Sequence, residues 1–480
     1  MASNNKIIGR QREIELLNRY AQSGKPEFIA IYGRRRVGKT FLIQNVFRQR
    51  MTYATTGVIG GDATAQMHAF IDAMDIFGSP VEKMPHDWYE AFAVLRRFLT
   101  KRIVKGERCI VFIDELPCFD TMRSDFANAL GYFWNSWAVQ QPEMMLIVCG
   151  SSTSWMMKNI IDSHGGLHDR ITHEMHLREF TLHDTELFLK SNGFLWDRLT
   201  ILQAYMICGG VPYYLDMMAK EESLAQNIDR LFFDDGAEMK REFNRLYSTL
   251  FSSPEPYVAI VEALAKKQQG LTRAEVATAL NIEPNGRLTA MLRNLLDCDI
   301  VRFYRTKEKK ISTRGGIYQL TDMFSNFFMK FVKEATTDRN YWQNSLNTPV
   351  QNTWLGLAFE RVCVKHVEQL KRALHIDTIR TEYYAWRGHD ESSGERAQID
   401  LVIERADRIA NICEMKYSQR EYALSKPEHE RLQRRIDLFV RSTAYKGGVM
   451  PVIVTTNALA VNAYSEYIAA VVTLNDLFAP

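Results

Sequence analysis

Residues Phe28–Thr40, FIAIYGRRRVGKT, constrain this chain more than any other stretch. The apolar run Phe28–Tyr32 feeds directly into Gly33-x-x-x-x-Gly38-Lys39-Thr40, the phosphate-binding loop pattern in its expected setting of a buried strand followed by a helix. In such a loop the backbone of Gly33, Arg34, Arg35, Arg36, Val37 and Gly38 cradles phosphate through its N–H groups. Lys39 reaches the β- and γ-phosphates, and the Thr40 hydroxyl sits on Mg²⁺. A helix from Thr40 through Phe41 to about Arg50 turns its positive end toward the same anion. The bland alternative is a glycine-rich turn beside a basic surface patch. The strand before the loop and the amphipathic helix after it argue against that alternative.

A second segment stands at a fitting distance. Cys109–Glu115, CIVFIDE, reads as a buried parallel strand with carboxylates at its C-terminal edge. Asp114 is placed to hold Mg²⁺, and Glu115 to polarise the water that attacks the γ-phosphate. A third strand, Met144–Gly150, ends in Ser151-Ser152-Thr153. Ser151 either senses the γ-phosphate or helps to cap the next helix. Arg170, in Leu167-His168-Asp169-Arg170, either neutralises transition-state charge, in cis or across a homo-oligomer contact, or is an ordinary surface arginine. Ile8–Glu13 opens an amphipathic helix suited to packing on an adenine ring, though a plain helix start explains it too.

At 480 residues the chain should hold more than one domain. Its 46% hydrophobic and 24% charged residues are those of a soluble globular protein. A net charge of +3 gives no global basic field, so DNA binding must come from local patches. Seven cysteines, with no C-x-x-C pair, read as small buried hydrophobes in a reducing compartment. The start, MASNNK, does not resemble a signal peptide, and no apolar run approaches the ~20 residues that span a bilayer. The expectation is a cytoplasmic protein with no membrane partner.

The first part of the chain alternates strands with helices, which argues a parallel sheet covered on both faces. The expected fold is α/β throughout, in four domains: a P-loop ATPase core over 1–177, a helical lid over 178–250, a winged helix over 251–338 and an α/β restriction-endonuclease-like domain over 339–480. Gly209-Gly210-Val211-Pro212 breaks two helices within the lid. In the third domain Thr272 is a plausible N-cap with Glu275 three residues on. Its strands Ile300–Arg305 and Gly316–Leu320 flank a joining segment that carries Lys307, Lys309, Lys310 and Arg314. A helix from Arg287 would enter a DNA major groove and the basic wing would touch phosphate. A protein–protein or interdomain element with a solvated basic loop fits the same residues.

The C-terminal region carries another constellation. Glu360 lies on a helix, Asp400 on an alternating strand, and Glu414-x-Lys416 ends the next strand. Asp400 and Glu414 on adjacent hairpin strands, with Glu360, would make an oxygen-rich site for Mg²⁺ or Mn²⁺. Lys416 shares a face with Glu414 and could activate water for phosphodiester cleavage. The alternative is a salt-bridged hairpin, with Lys416 paired to Asp400 or Glu414.

Taken together, YGRRRVGKT, FIDELP, Leu167–Arg170 and GGVPYYL resemble the prokaryotic AAA+ ATPases close to the signalling STAND group. That resemblance implies an ATPase with a helical lid, then a winged helix, then a domain related to PD-(D/E)XK nucleases. It implies Gly33, Gly38, Lys39 and Thr40 as Walker A residues, Asp114 and Glu115 as the Walker B pair, and ATP rather than GTP as the nucleotide. Glu360, Asp400, Glu414 and Lys416 match the nuclease-type motif, with Ile399 where proline commonly precedes the aspartate. The expected function is an ATP-dependent switch whose C-terminal domain acts on or binds DNA. An ATP-controlled DNA-binding regulator with an inert nuclease fold, and an NTPase that binds only a protein partner, are the alternatives.

Overall fold

The computed structural model describes residues 7–161, 167, 169–305, 316–334, 337–389 and 396–480. Two compact units result: one comprises the chain to Glu179 plus Ser248–Ser252, the other Phe180–Tyr247 and Ser253–Pro480. The expected basic wing residues Lys307, Lys309, Lys310 and Arg314, and His168, lie outside the described residues.

The first unit is built on strands β1 (Glu27–Tyr32), β2 (Met51–Thr56), β3 (Cys109–Asp114), β4 (Met144–Gly150) and β5 (His173–His176). They pair in parallel in the order β2-β3-β4-β1-β5. Side chains alternate across a strand, so each apolar run feeds two cores. Phe28, Ala30, Val111, Ile113, Leu146 and Val148 face helices α3 (Ala63–Ile76), α4 (Trp88–Thr100) and α5 (Phe126–Ser136). Ile29, Ile31, Ile110, Phe112, Met145 and Ile147 face α1 (Gln11–Ala21) and α2 (Lys39–Phe47). Burial on both faces is why these strands read as unbroken apolar runs. Because all five strands run the same way, the turns after β1, β3 and β4 gather at one edge of the sheet.

In the second unit, helices Glu255–Lys266, Arg273–Ala279 and Gly286–Asp297 accompany a small antiparallel sheet, β6 (Leu271–Thr272), β7 (Val301–Arg305) and β8 (Gly316–Leu320), ordered β6-β8-β7. Thr272 caps its helix reciprocally with Glu275. Phe327 packs against Trp342 and Trp354, and Trp354 Nε1 donates to Asn326 Oδ1 at 3.1 Å. That aromatic cluster joins the small sheet's trailing segment to the Pro349–Lys365 helix.

A mixed sheet completes the unit: β9 (Thr381–His389), β10 (Arg396–Arg405), β11 (Ile409–Lys416), β12 (Gly448–Thr455) and β13 (Ala470–Thr473), ordered β13-β12-β11-β10-β9. The β9–β10 and β10–β11 pairs are antiparallel, and the last two pairs are parallel. Ala410 and Ile412 meet Leu432, Ile436 and Phe439 of the Lys426–Thr443 helix. The same parity along β11 turns Glu414 and Lys416 toward that helix.

Candidate nucleotide site and a charged C-terminal cleft

The turn after β1 takes left-handed backbone at Gly33 (φ 140°), Arg36 (φ 71°) and Gly38 (φ 91°). A Cβ on Gly33 would lie 2.2 Å from the Leu177 carbonyl oxygen, so glycine is required there by contact as well as by conformation. Gly38 is the N-cap of α2 and brings no capping side chain. The first N–H groups of α2 therefore face the loop as a ready anion site. Lys39 is buried, and its Nζ donates to the carbonyls of Gly33 (2.8 Å) and Arg34 (3.0 Å). Burial lowers its pKa, partly offset by the nearby carboxylates of Glu115 and Asp114. An incoming phosphate would supply the charge partner that the loop carbonyls imitate.

Thr40 Oγ1 donates to Asp114 Oδ2 at 2.6 Å. Burial raises the Asp114 pKa, and the Thr40 hydrogen bond opposes that shift. Glu115 sits in left-handed backbone (φ 46°). Its carboxylate is clasped by Ser151, whose hydroxyl lies 2.8 and 2.6 Å from the two oxygens and whose amide donates at 3.3 Å. Ser151 can do this because β4 lies between β1 and β3. The helix Thr153–Met156 has Ser152 at its N-cap with no side-chain hydrogen bond, so the serine run binds the acid rather than capping the helix.

Two of the three loop arginines, Arg34 and Arg35, are engaged away from the loop centre. Arg34 is buried and pairs with Glu179 at 2.6 Å. Arg35 Nη1 donates to Thr249 Oγ1 at 2.6 Å. Val37 is buried, and Arg10 Nη2 donates to its carbonyl at 3.1 Å and to the Arg178 carbonyl. Phe41, on the first turn of α2, is half-exposed. Arg170 is exposed, and its side chain makes no hydrogen bond or ion pair among the described residues. Glu179 and Thr249 carried no motif that a sequence reading could seize on, since each is brought in by tertiary contact, whereas Arg10 lies in the Ile8–Glu13 segment singled out from the sequence.

In the second unit the paired register jumps between Ile399 and Val402, one extra residue on β10 bulging against β9. Asp400 stands at that bulge, a device that re-aims a side chain. Leu401 pairs with Cys413, so Asp400 and Glu414 come next opposite one another. Glu360 and Asp400 line one cavity of about 160 Å³, with Arg302, Arg361 and Arg435. Glu414 and Lys416 line a neighbouring cavity of about 190 Å³, with Glu428, Arg431 and Arg435. Burial and then the nearby Asp400 push the Glu360 pKa up to about 8. Burial also raises Asp400, which accepts from Gln398 Nε2 at 2.6 Å.

The expected three-acid cage is not preformed. Glu414 is held by Lys416 (2.9 Å) and Arg435 (2.8 Å), and among the described residues no three His, Cys, Asp or Glu side chains converge as metal ligands. Lys416 pairs with Glu414 rather than with Asp400, as in the salt-bridged alternative. Arg435, Arg302 and Arg361 were not singled out from the sequence. The Arg434-Arg435 pair on a helix after the E-x-K strand was the available signal for the first of them.

The sheet order, with a serine-tipped strand inserted between the phosphate-loop strand and the acidic strand, makes the first unit a P-loop ATPase fold. Comparison with known proteins agrees. Residues 7–218 match the family described as an ATPase domain predominantly from Archaea. An uncharacterised protein of Methanocaldococcus jannaschii is 24% identical over 420 residues, covering 86% of this chain and 87% of the relative. That likeness is longer than the ATPase match and extends beyond it. Among solved structures, the Walker-type ATPase of Pyrococcus abyssi matches at 18% identity and a TM-score of 0.50, over 68% of this chain and 97% of the other. The ORC2 protein of Aeropyrum pernix, solved with ADPNP and ADP, matches at 13% identity and a TM-score of 0.41, over 76% and 98%. No helix among the described residues is long and apolar enough to cross a membrane.

Proposed function

We propose that this chain is an ATP-operated switch whose nucleotide state governs a C-terminal nuclease-like domain that binds or acts on DNA. The observation that carries the reading is the array at one sheet edge: buried Lys39, the Thr40–Asp114 pair and the Glu115–Ser151 clasp. These residues fit a magnesium–nucleotide pair, because the start of α2 is uncapped and Lys39 has no anionic hydrogen-bond partner among the described residues. Bound Mg²⁺ would supply charge neutralisation between the phosphates. The Thr40 hydroxyl and Asp114 would hold it, and Lys39 would leave the loop carbonyls for the phosphates. Ser151 would exchange Glu115 for a γ-phosphate oxygen, freeing the Glu115 carboxylate to accept the proton of the attacking water. Arg170, exposed and with no side-chain hydrogen bond or ion pair among the described residues, is available to a transition state in a neighbouring copy of the chain.

On this reading residues 178–250 act as the lid. Residues 251–338 act as a winged helix that presents the Gly286–Asp297 helix to DNA. Residues 339–480 act as the nuclease-like domain, in a cytoplasmic protein. The C-terminal acids do not fit a metal ion as they stand, so no cleavage step is derived through one. The alternative, a regulator with an inert nuclease fold, is favoured by the double ion pairing of Glu414.

The test is a cleavage assay on plasmid and single-stranded DNA in Mg²⁺ or Mn²⁺, with and without ATP. It uses the wild type, Lys39→Ala and Asp400→Ala. Cleavage lost in Asp400→Ala and altered by ATP supports the nuclease reading. ATP hydrolysis without cleavage moves the conclusion to the regulator, and hydrolysis retained in Lys39→Ala overturns the nucleotide site itself.

A further inference from the structure

We propose that Arg34 is a positioning residue that couples the phosphate loop to the chain crossing at residues 179–180 through its ion pair with Glu179. The proposal rests on the reading that the chain is a nucleotide-operated switch, and it names the contact that carries the signal out of the loop. It starts from a buried charge that phosphate binding does not call for. The cradle uses the loop's backbone N–H groups, so no side chain is needed at position 34. Arg34 is nonetheless buried, and its Nη1 donates to Glu179 Oε1 at 2.6 Å, the Glu179 side chain being only 11% exposed. Taking two charges out of water is costly, and such a pair adds little net stability over apolar residues of similar volume. Setting a register or a switch is the best-attested use of a pair like this one.

Arg34 also meets the lysine that senses phosphate. Its carbonyl accepts from Lys39 Nζ at 3.0 Å, so one residue touches Lys39 with its backbone and Glu179 with its side chain. The residues just before the crossing are held to the same loop. Leu177 N–H donates to the Tyr32 carbonyl at 2.8 Å, and the Leu177 carbonyl lies against Gly33. The Arg178 carbonyl accepts from Arg10, which also grips the Val37 carbonyl. Past the crossing the chain belongs to the second unit. There Phe180 N–H donates to the Gly210 carbonyl at 2.8 Å, and a Cβ on Gly210 (φ 68°) would lie 2.4 Å from the Phe180 carbonyl oxygen. Thr181 then caps the Leu182–Ser191 helix reciprocally with Asp184. Glu179 is thus fixed within the first unit and Phe180 within the second, on consecutive residues, with no linker between the two anchors.

Nucleotide acts on this series of contacts at its first link. Phosphates draw Lys39 off the Gly33 and Arg34 carbonyls, which releases that peptide to take a second orientation. The Arg34 guanidinium carries the change to Glu179, and the Glu179–Phe180 bond carries it to the start of the Leu182–Ser191 helix. The coupling is reciprocal, so the state of that helix feeds back on nucleotide affinity. Arg35 bonds Thr249 near another crossing, so the effect of Arg34 is read at the Leu182–Ser191 helix, which follows the Glu179 crossing directly.

The experiment measures amide hydrogen exchange in the Leu182–Ser191 helix of the full chain, at saturating ADP and at a saturating non-hydrolysable ATP analogue. Wild type is compared with Glu179→Gln and with the double variant Arg34→Met/Glu179→Leu. The double variant removes both charges together, so none is left buried without its partner and the first unit keeps its fold. In wild type the exchange of the helix should differ about fivefold or more between the two nucleotides. The double variant should lose that difference while its thermal midpoint stays close to wild type. Glu179→Gln keeps the loop sequence intact and should retain hydrolysis within about threefold while the difference falls to less than about half. A pair that only held the fold together would lower the Glu179→Gln midpoint and leave the exchange difference in place. A difference of full size in both variants overturns the proposal and leaves the switch reading standing. No difference in wild type also overturns the proposal, and the switch reading falls with it when oligonucleotide affinity is the same in both nucleotides.

Discussion

Gly33 and His366 show how single positions fix their surroundings. Gly33→Ala would place a Cβ on the Leu177 carbonyl in a backbone region that disfavours side chains. It should destabilise the ATPase unit by about 2–4 kcal/mol, read as a lower thermal midpoint of that unit. Lys39→Ala has the opposite signature. The buried ammonium pays a desolvation cost without nucleotide, so removing it should leave the nucleotide-free midpoint within about 2 °C and abolish the upshift on adding ATP. Glu115→Gln should keep that upshift while hydrolysis falls by about 10²–10⁴-fold. His366 is buried, with Nε2 accepting from Leu182 N–H at 3.0 Å and Nδ1 against the Val362 carbonyl at 2.8 Å. That tautomer is neutral, and burial depresses the pKa to about 4. The unfolded chain therefore binds the extra proton first as pH falls, so the stabilisation is present above about pH 6.5 and is lost progressively toward pH 4. The shift corresponds to about 3 kcal/mol. Denaturant unfolding of the second unit should weaken over that window, and His366→Gln should be less stable at neutral pH with a flatter profile.

At the scale of elements, the sequence was legible wherever a local rule decided the outcome. The apolar runs of β1, β3 and β4 and the glycine–lysine turn are such places. So are the Thr272–Glu275 capping box and the E-x-K strand. Strands β2, β5 and β13 are short or mixed in polarity, and their pairing rather than their composition makes them strands. The β10 bulge was invisible too, because a register shift belongs to a pair of strands and not to one. Its consequence is testable: deleting Leu401 should restore regular pairing, turn Asp400 to the opposite face, and remove any Asp400-dependent DNA cleavage. The partners of the charged side chains were equally hidden. Nothing local links Arg435 to Glu414 or Ser151 to Glu115, since both pairs depend on which strand or helix lies beside which.

For the whole molecule, the chain crosses between its two units at residues 179–180, 247–248 and 252–253. The phosphate loop touches one of these returns through the Arg35–Thr249 hydrogen bond. If the nucleotide state is felt beyond the ATPase unit, Thr249→Val should leave hydrolysis within about threefold and weaken the effect of ATP elsewhere, an outcome that a parallel hydrolysis and oligonucleotide-binding series would resolve. A ligand shifts an equilibrium only by its differential affinity for the two states, so the switch must appear as a difference between nucleotide forms. The most direct measurement is oligonucleotide affinity of the full chain with ATP, with ADP and without nucleotide, for wild type, Lys39→Ala and Glu115→Gln. The account predicts that wild type binds differently with ATP than with ADP, that Glu115→Gln stays at the ATP level, and that Lys39→Ala ignores nucleotide. Equal affinity in every nucleotide state, with hydrolysis intact, would contradict it.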